Sequence, residues 1–244
     1  MPSVSKSPDR IAGMFDAIAG RYDFLNHLLS AGIDRRWRRR AVGSLRLTGR
    51  ERVLDVCTGT GDLAIATMRA RPSAGCVVGV DFAGAMLRVA RAKIERTPLR
   101  SHVALVRGDA MSLPIASGSV DAVTIAFGIR NVEYAEAACA EMGRVLRQGG
   151  RLAMLEFAVP TAPIWRHCYG WYLRHVLPAV GRIVSQHPGA YGYLPASIDT
   201  FASPDELVKI LRHVGFVDVS AVRLTFGSVC LYMARRGADI LVTS

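Results

Sequence analysis

The segment Val53-Leu54-Asp55-Val56-Cys57-Thr58-Gly59-Thr60-Gly61-Asp62-Leu63-Ala64 constrains this chain more than any other. Apolar, β-branched residues run into a glycine turn and out into a helix start. A strand, a glycine turn and a helix in that order open a parallel α/β sheet, and the glycines let backbone approach a bound nucleotide closely. The G-x-G-x-x-A spacing alone fits any dinucleotide-binding fold.

The chain after Arg52 keeps the same rhythm. Apolar strand patterns at Arg52–Cys57, Cys76–Asp81, Val103–Val106, Val120–Phe127 and Arg151–Phe157 alternate with helical patterns at Gly61–Arg71, Gly84–Glu95 and Glu133–Leu146. That alternation predicts βαβ units and a mostly parallel, doubly wound sheet. Gly149-Gly150 is expected to turn the chain out of the third helix. Further on, Ser203-Pro204-Asp205-Glu206 carries a capping-box signature. Two strands, Phe216–Leu224 and Phe226–Ala234, follow, and the short Thr225 link between them suggests an antiparallel hairpin. Before the motif, Pro8 to Val42 has apolar residues at helical spacing and ends in the basic run Arg35-Arg36-Trp37-Arg38-Arg39-Arg40. We expect one domain over residues 1–244, with an N-terminal helical lid at 8–45 and an aromatic-rich insertion at 160–201.

The acids around the glycines narrow the ligand. Asp55 lies in the strand four residues before Gly59, within reach of the amino group of a bound amino acid. Asp62 stands at the helix N-terminus, where a dinucleotide would place its pyrophosphate, and a carboxylate there repels phosphate. S-adenosyl-L-methionine has no phosphate and carries a sulfonium and an ammonium, so the two acids favour it over NAD. Asp62 also reads as a simple partner for the helix dipole. Asp81 ends the second strand about 20 residues past the glycines, the place of an acid that grips a ribose. Asp109, followed by Ala110, lies after the third strand, where an acid meets the adenine.

Composition excludes several classes. With 50% hydrophobic and 21% charged residues the chain is globular rather than disordered. None of its five cysteines forms a C-x-x-C pair, and no Cys/His cluster has metal spacing, so no metal is expected. Cys57, Cys76, Cys139 and Cys230 fall in apolar segments and read as inert core thiols. The N-terminus lacks the apolar stretch of a signal peptide, and no charge-free apolar run is long enough to span a membrane. A cytoplasmic protein is expected. The net charge of +11 suits either an anionic membrane surface or a solubilising arginine-rich exterior. No recognition module or basic–aromatic platform for nucleic acid is present, so no nucleic-acid partner is expected.

With these residues placed, the chain resembles the ubiquinone/menaquinone biosynthesis C-methyltransferases from about Asp9 to Arg235. The stretches that carry the resemblance are Tyr22-Asp23-Phe24-Leu25-Asn26-His27-Leu28-Leu29-Ser30, Phe127-Gly128-Ile129-Arg130-Asn131-Val132, Arg144-Val145-Leu146-Arg147-Gln148-Gly149-Gly150-Arg151-Leu152 and Tyr193-Leu194-Pro195-Ala196-Ser197-Ile198. The resemblance implies a seven-stranded class I fold, with Thr60, Asp81, Asp109, Ala110 and position 126 at the cofactor. Ala126 departs from the Ser or Gly common there, which leaves only backbone or van der Waals contact. Asp55-Val56-Cys57 and Thr225-Phe226-Gly227 look more like the menaquinone-type members.

The implied reaction moves a methyl group from sulfur to a carbon of a polyprenyl quinol ring. No enzyme nucleophile is needed. The protein must hold the reactants in line, stabilise a phenolate and accept a proton. Arg130 is the expected phenolate partner and Asn131 the residue that orients the ring hydroxyl; both also read as a loop held by its own hydrogen bonds. Tyr22, with Asp23 and Asn26, is expected to close the site from the lid. His175 and His187 are further proton-acceptor candidates. The run Ile164 to Arg174 reads either as a membrane-interface surface or as a buried lid or homodimer contact.

Overall fold

The structure is a computed structural model that describes residues 8–70, 75–176, 196–198 and 200–238. Helices α1 (Pro8–Leu29) and α2 (Asp34–Ser44) precede the sheet. The expected continuous helix breaks at Ala31 and Gly32, which both adopt positive φ (49° and 76°). Then come β1 (Arg52–Val56), α3 (Asp62–Ala70), β2 (Cys76–Asp81), α4 (Gly84–Glu95), β3 (Val103–Arg107) and β4 (Val120–Ala126). A 3-10 turn at Ile129–Asn131 leads to α5 (Ala135–Val145), β5 (Leu146–Phe157) and α6 (Pro163–Trp171). Helix α7 (Pro204–His213) and strands β6 (Phe216–Leu224) and β7 (Val229–Arg236) follow.

The seven strands lie in the order β3-β2-β1-β4-β5-β7-β6. The first five pair parallel, and β7 pairs antiparallel with both β5 and β6. This is the expected doubly wound α/β fold with a reversed final pair. Period-2 alternation sends each central strand to two faces, as a sheet covered on both sides requires. Leu54, Ile125, Leu152 and Met154 pack with α5 and α7 on one face. Val53, Ala122, Ala153 and Leu155 pack with α2 and α3 on the other. The capping box forms: Glu206 N–H donates to Ser203 Oγ, and the Ser203 N–H donates to Glu206.

Three expectations need correction. Gly149 and Gly150 lie inside β5, which starts directly after α5 and shifts register there against β4. Cys76 is exposed because it is the first residue of β2, where the chain enters the sheet; Cys139 and Cys230 are buried as expected. The β6–β7 link is a short 3-10 turn, Thr225–Gly227, rather than Thr225 alone. Among the described residues no helix is long and apolar enough to cross a membrane.

Candidate active site

The sheet order reverses between β1 and β4, and the crevice outside the carboxyl ends of such strands is where ligands bind in open α/β sheets. The residue just past each of these two strands, Cys57 and Phe127, has positive φ (51° and 58°). Left-handed backbone at non-glycine residues is strained and concentrates at functional sites. The two ends meet closely: a Cβ on Gly128 would sit 2.4 Å from the Cβ of Cys57, so only glycine fits there. Gly59 (φ 56°) completes the wall, and a Cβ on it would point into open space.

The crevice opens into a cavity of about 240 Å³ lined by Gly59, Asp81, Asp109, Ala110, Ala126 and Asn131, among others. Phe15 and Tyr22 of α1 close it from above. Asp81 is buried at the end of β2, and its carboxylate accepts the backbone N–H groups of Gly59 (2.8 Å) and Ala83 (2.9 Å). Burial raises its pKa against those hydrogen bonds. Asp109, also in the lining, accepts the Met111 N–H (2.9 Å). Asn131 donates through Nδ2 to the Phe127 carbonyl (3.3 Å), which turns its Oδ1 away; that oxygen is buried and has no partner among the described residues. An orphaned acceptor in a ligand cavity calls for a donor from the ligand.

A second, smaller chamber continues past Tyr22, Cys57, Gly59, Ala126 and Phe127, and is lined by Arg38, Asp55, Thr58, Thr60 and Asp62. Asp55 is buried and accepts the hydroxyls of Thr58 (2.6 Å) and Thr124 (2.7 Å). Burial pushes its pKa up to about 6. Tyr22 lines both chambers, and burial raises its phenol above the ordinary range. Thr60 faces the lid rather than the larger cavity, donating its hydroxyl to Asp23. Gly61 serves packing: its backbone lies against Ala90 of α4, and its φ is 80°.

Two expectations meet a different geometry. Asp62 pairs with Lys93 and, at 3.2 Å, with Arg38, so its charge is committed within the protein rather than held open against phosphate. Arg130 does not line the cavity. Its side chain is buried, and Nη1 bonds Glu156 (2.8 Å) and the Phe127 carbonyl. Glu156 is fully buried and also accepts the Phe157 N–H (2.8 Å). Sequence reasoning overlooked Glu156 and Arg38. Each sat inside a quoted segment, but only the fold brings Glu156 under the 3-10 turn and Arg38 under the glycine loop. His175 sits beside Trp171, with ring centroids 5.7 Å apart, and His187 lies outside the described residues.

Residues 3–236 match the model of the ubiE/COQ5 methyltransferase family. The chain belongs to that family. The methyltransferase is 42% identical to the ubiquinone/menaquinone biosynthesis C-methyltransferase UbiE of Geobacter sulfurreducens, over 97% of this chain and 92% of the relative. It is 45% identical to the demethylmenaquinone methyltransferase of Thermus thermophilus, over 91% of this chain and 100% of the relative. Among solved structures it resembles the [4+2]-cyclase SpnF, with a TM-score of 0.70 at 18% identity over 98% of this chain and 99% of that one. A SAM-dependent methyltransferase from Aquifex aeolicus gives a TM-score of 0.59 at 18% identity, over 81% and 88%. Likeness at that identity shows the fold alone. The family shows the activity class: the enzyme is an S-adenosylmethionine-dependent methyltransferase.

The site fits that cofactor. Asp81 and Asp109 offer carboxylate oxygens to the larger cavity, and among the described residues no basic side chain lines it to suit a phosphate.

Proposed function

We propose that this enzyme methylates a ring carbon of a polyprenyl hydroquinone, with demethylmenaquinol as the preferred substrate and a ubiquinone precursor as the alternative. The observation that carries this reading is the family match over residues 3–236 together with the acid-lined cavity at the β1/β4 switch point. S-adenosylmethionine, when bound, supplies the electrophilic methyl group. Asp81 holds the ribose, Asp109 and Ala110 the adenine, Asp55 the ammonium, and Ala126 lends surface contact. Gly59, Thr60 and Gly61 shape the turn between them.

The ring carbon of a quinol is a nucleophile once its hydroxyl ionises, so the protein positions rather than attacks. Tyr22 stays protonated because burial raises its pKa, which leaves its hydroxyl as a donor for the phenolate. Asn131 orients the ring hydroxyl through its unpartnered Oδ1. Arg130 acts at one remove: its charge reaches the Tyr22 hydroxyl, and its pairing with Glu156 fixes the loop that carries Asn131. Helix α1 forms the lid, α2 seats it on the sheet, and α6 belongs to the substrate side of a single domain. The exposed aromatic face of α6 docks on an anionic membrane to collect the prenylated substrate, which places the enzyme at the inner face of the cytoplasmic membrane.

Arg130→Lys tests this assignment. Removing the fork from a buried pair is expected to destabilise the fold, with about 3–5 kcal/mol as the range for a pair broken outright. Turnover of a short-chain demethylmenaquinol should fall along with stability and cofactor affinity. A stable variant with normal cofactor affinity and lost turnover would instead put Arg130 in direct contact with the ring. Absence of methyl transfer to any demethylated quinol by the wild-type enzyme would overturn the substrate reading.

A further inference from the structure

We infer that Arg38 is the carboxylate receptor for the amino-acid end of the cofactor, so that α2 reads the methionine moiety while the sheet reads the nucleoside. This rests on the cofactor reading above. The smaller chamber differs in chemistry from the larger one. Among the described residues lining it, Arg38 is the one basic side chain, and it shares the lining with Asp55, Thr58 and Thr60. An acid and a guanidinium in the lining of one chamber suit an α-amino acid, whose ammonium and carboxylate leave the same carbon.

The guanidinium is held rather than loose. Its side chain is 11% exposed, and both of its ion pairs, to Asp34 and to Asp62 at 3.2 Å, run through Nη1. A guanidinium carries five N–H donors in a fixed fork, so the edge away from Nη1 remains for a planar carboxylate. Asp34 is itself fixed by Ser30 (3.0 Å) and His27 (2.9 Å), which anchors the arginine to the turn between α1 and α2. Asp62 is shared with Lys93 of α4, which offsets its repulsion of a second carboxylate nearby. The surrounding charges, Asp23, Asp34, Asp55 and Asp62 against Arg38 and Lys93, lean acidic. That balance suits a ligand that carries two cationic centres and one anion, with a single arginine for the anion.

The test compares ligands within each protein. Titration calorimetry would measure S-adenosylmethionine, decarboxylated S-adenosylmethionine, which lacks only the carboxylate, and 5′-methylthioadenosine, which lacks the whole amino-acid end. Wild type should prefer the intact cofactor over the decarboxylated one by about tenfold or more, the scale of a charge-assisted hydrogen bond. Arg38→Met should bring that ratio close to one while leaving the affinity for 5′-methylthioadenosine near wild type. Arg38→Lys, which keeps the charge without the fork, should fall between them and serves if the methionine variant does not fold. A wild type without preference, or a variant that weakens all three ligands equally, would overturn the assignment and leave Arg38 as a structural tie. If wild type bound none of the three, the cofactor reading itself would fall with it.

Discussion

Single carboxylates set much of this site, and each does two jobs. Asp81 ties the glycine loop to the end of β2 and still presents lone pairs to the cavity. Asp81→Ala should therefore lose two charge-assisted bonds to a ribose, each worth roughly 1.5–3 kcal/mol, and also loosen the turn at Gly59. Calorimetry should show cofactor affinity falling by about a hundredfold at least, with a modest drop in melting temperature; unchanged affinity in the folded variant would remove the ribose assignment. Asp55 has the opposite economy. Its pKa rises in the fold from 3.8 to about 6, so the neutral form is favoured there, a difference of roughly 3 kcal/mol. That contribution is whole below the unfolded pKa and is lost as pH climbs from about 4 through about 6. The unliganded Asp55→Asn variant should melt higher than wild type near neutral pH, and the gap should close as pH is lowered. Thermal melts without cofactor across that window measure it, and a variant that melts lower at neutral pH would show that the carboxylate carries no burial cost.

Among the elements, legibility tracked local signals. Strand β2 and helix α4 have the bounds that apolar periodicity predicts, and the α7 cap is written in Ser203 and Glu206. The break between α1 and α2 was not legible, because Ala31 gives no warning of a left-handed backbone and Gly32 alone is tolerated within helices. The β5 bulge at Gly149 was missed for a similar reason: a glycine pair reads as a turn until the neighbouring strand shows the register shift. In the site, residues on the motif were readable, whereas the Arg130–Glu156 pair spans 26 positions and needs the β4–β5 pairing to exist. Helix α6 carries an expectation of its own. Ile164 is 75% exposed and Trp171 55%, while Trp165 stacks on Phe226 with centroids 3.9 Å apart, and Arg166 and Arg174 flank them. Aromatic and basic residues on one exposed helix favour an anionic interface. Sedimentation with anionic vesicles should show binding that weakens as salt rises and falls further in Trp165→Ala with Trp171→Ala. Vesicle binding that ignores both salt and the double substitution would move the docking surface elsewhere.

Across the whole molecule, the helices built on local periodicity are stitched together by contacts between distant parts of the chain. Trp37 of α2 donates its indole N–H to Thr225 (2.8 Å), 188 positions away in the β6–β7 turn. The aromatic series Trp37, Phe127 and Phe157 then carries that contact from α2 to the mouth of the sheet. Strand β7 has the same long reach: it enters between β5 and β6, and its Leu231 and Tyr232 fill opposite faces of the core. This order has a consequence in time. A ribosome delivers β5 well before the strand that covers it, so a growing chain presents the unpaired, apolar edge of β5 through the synthesis of α6, α7 and β6. Stalled nascent chains ending at Ser228 should be cut readily by protease, and chains extended past Arg236 and clear of the exit tunnel should resist. The methyl-transfer site would then be completed only as the last described strand slides into the gap kept for it.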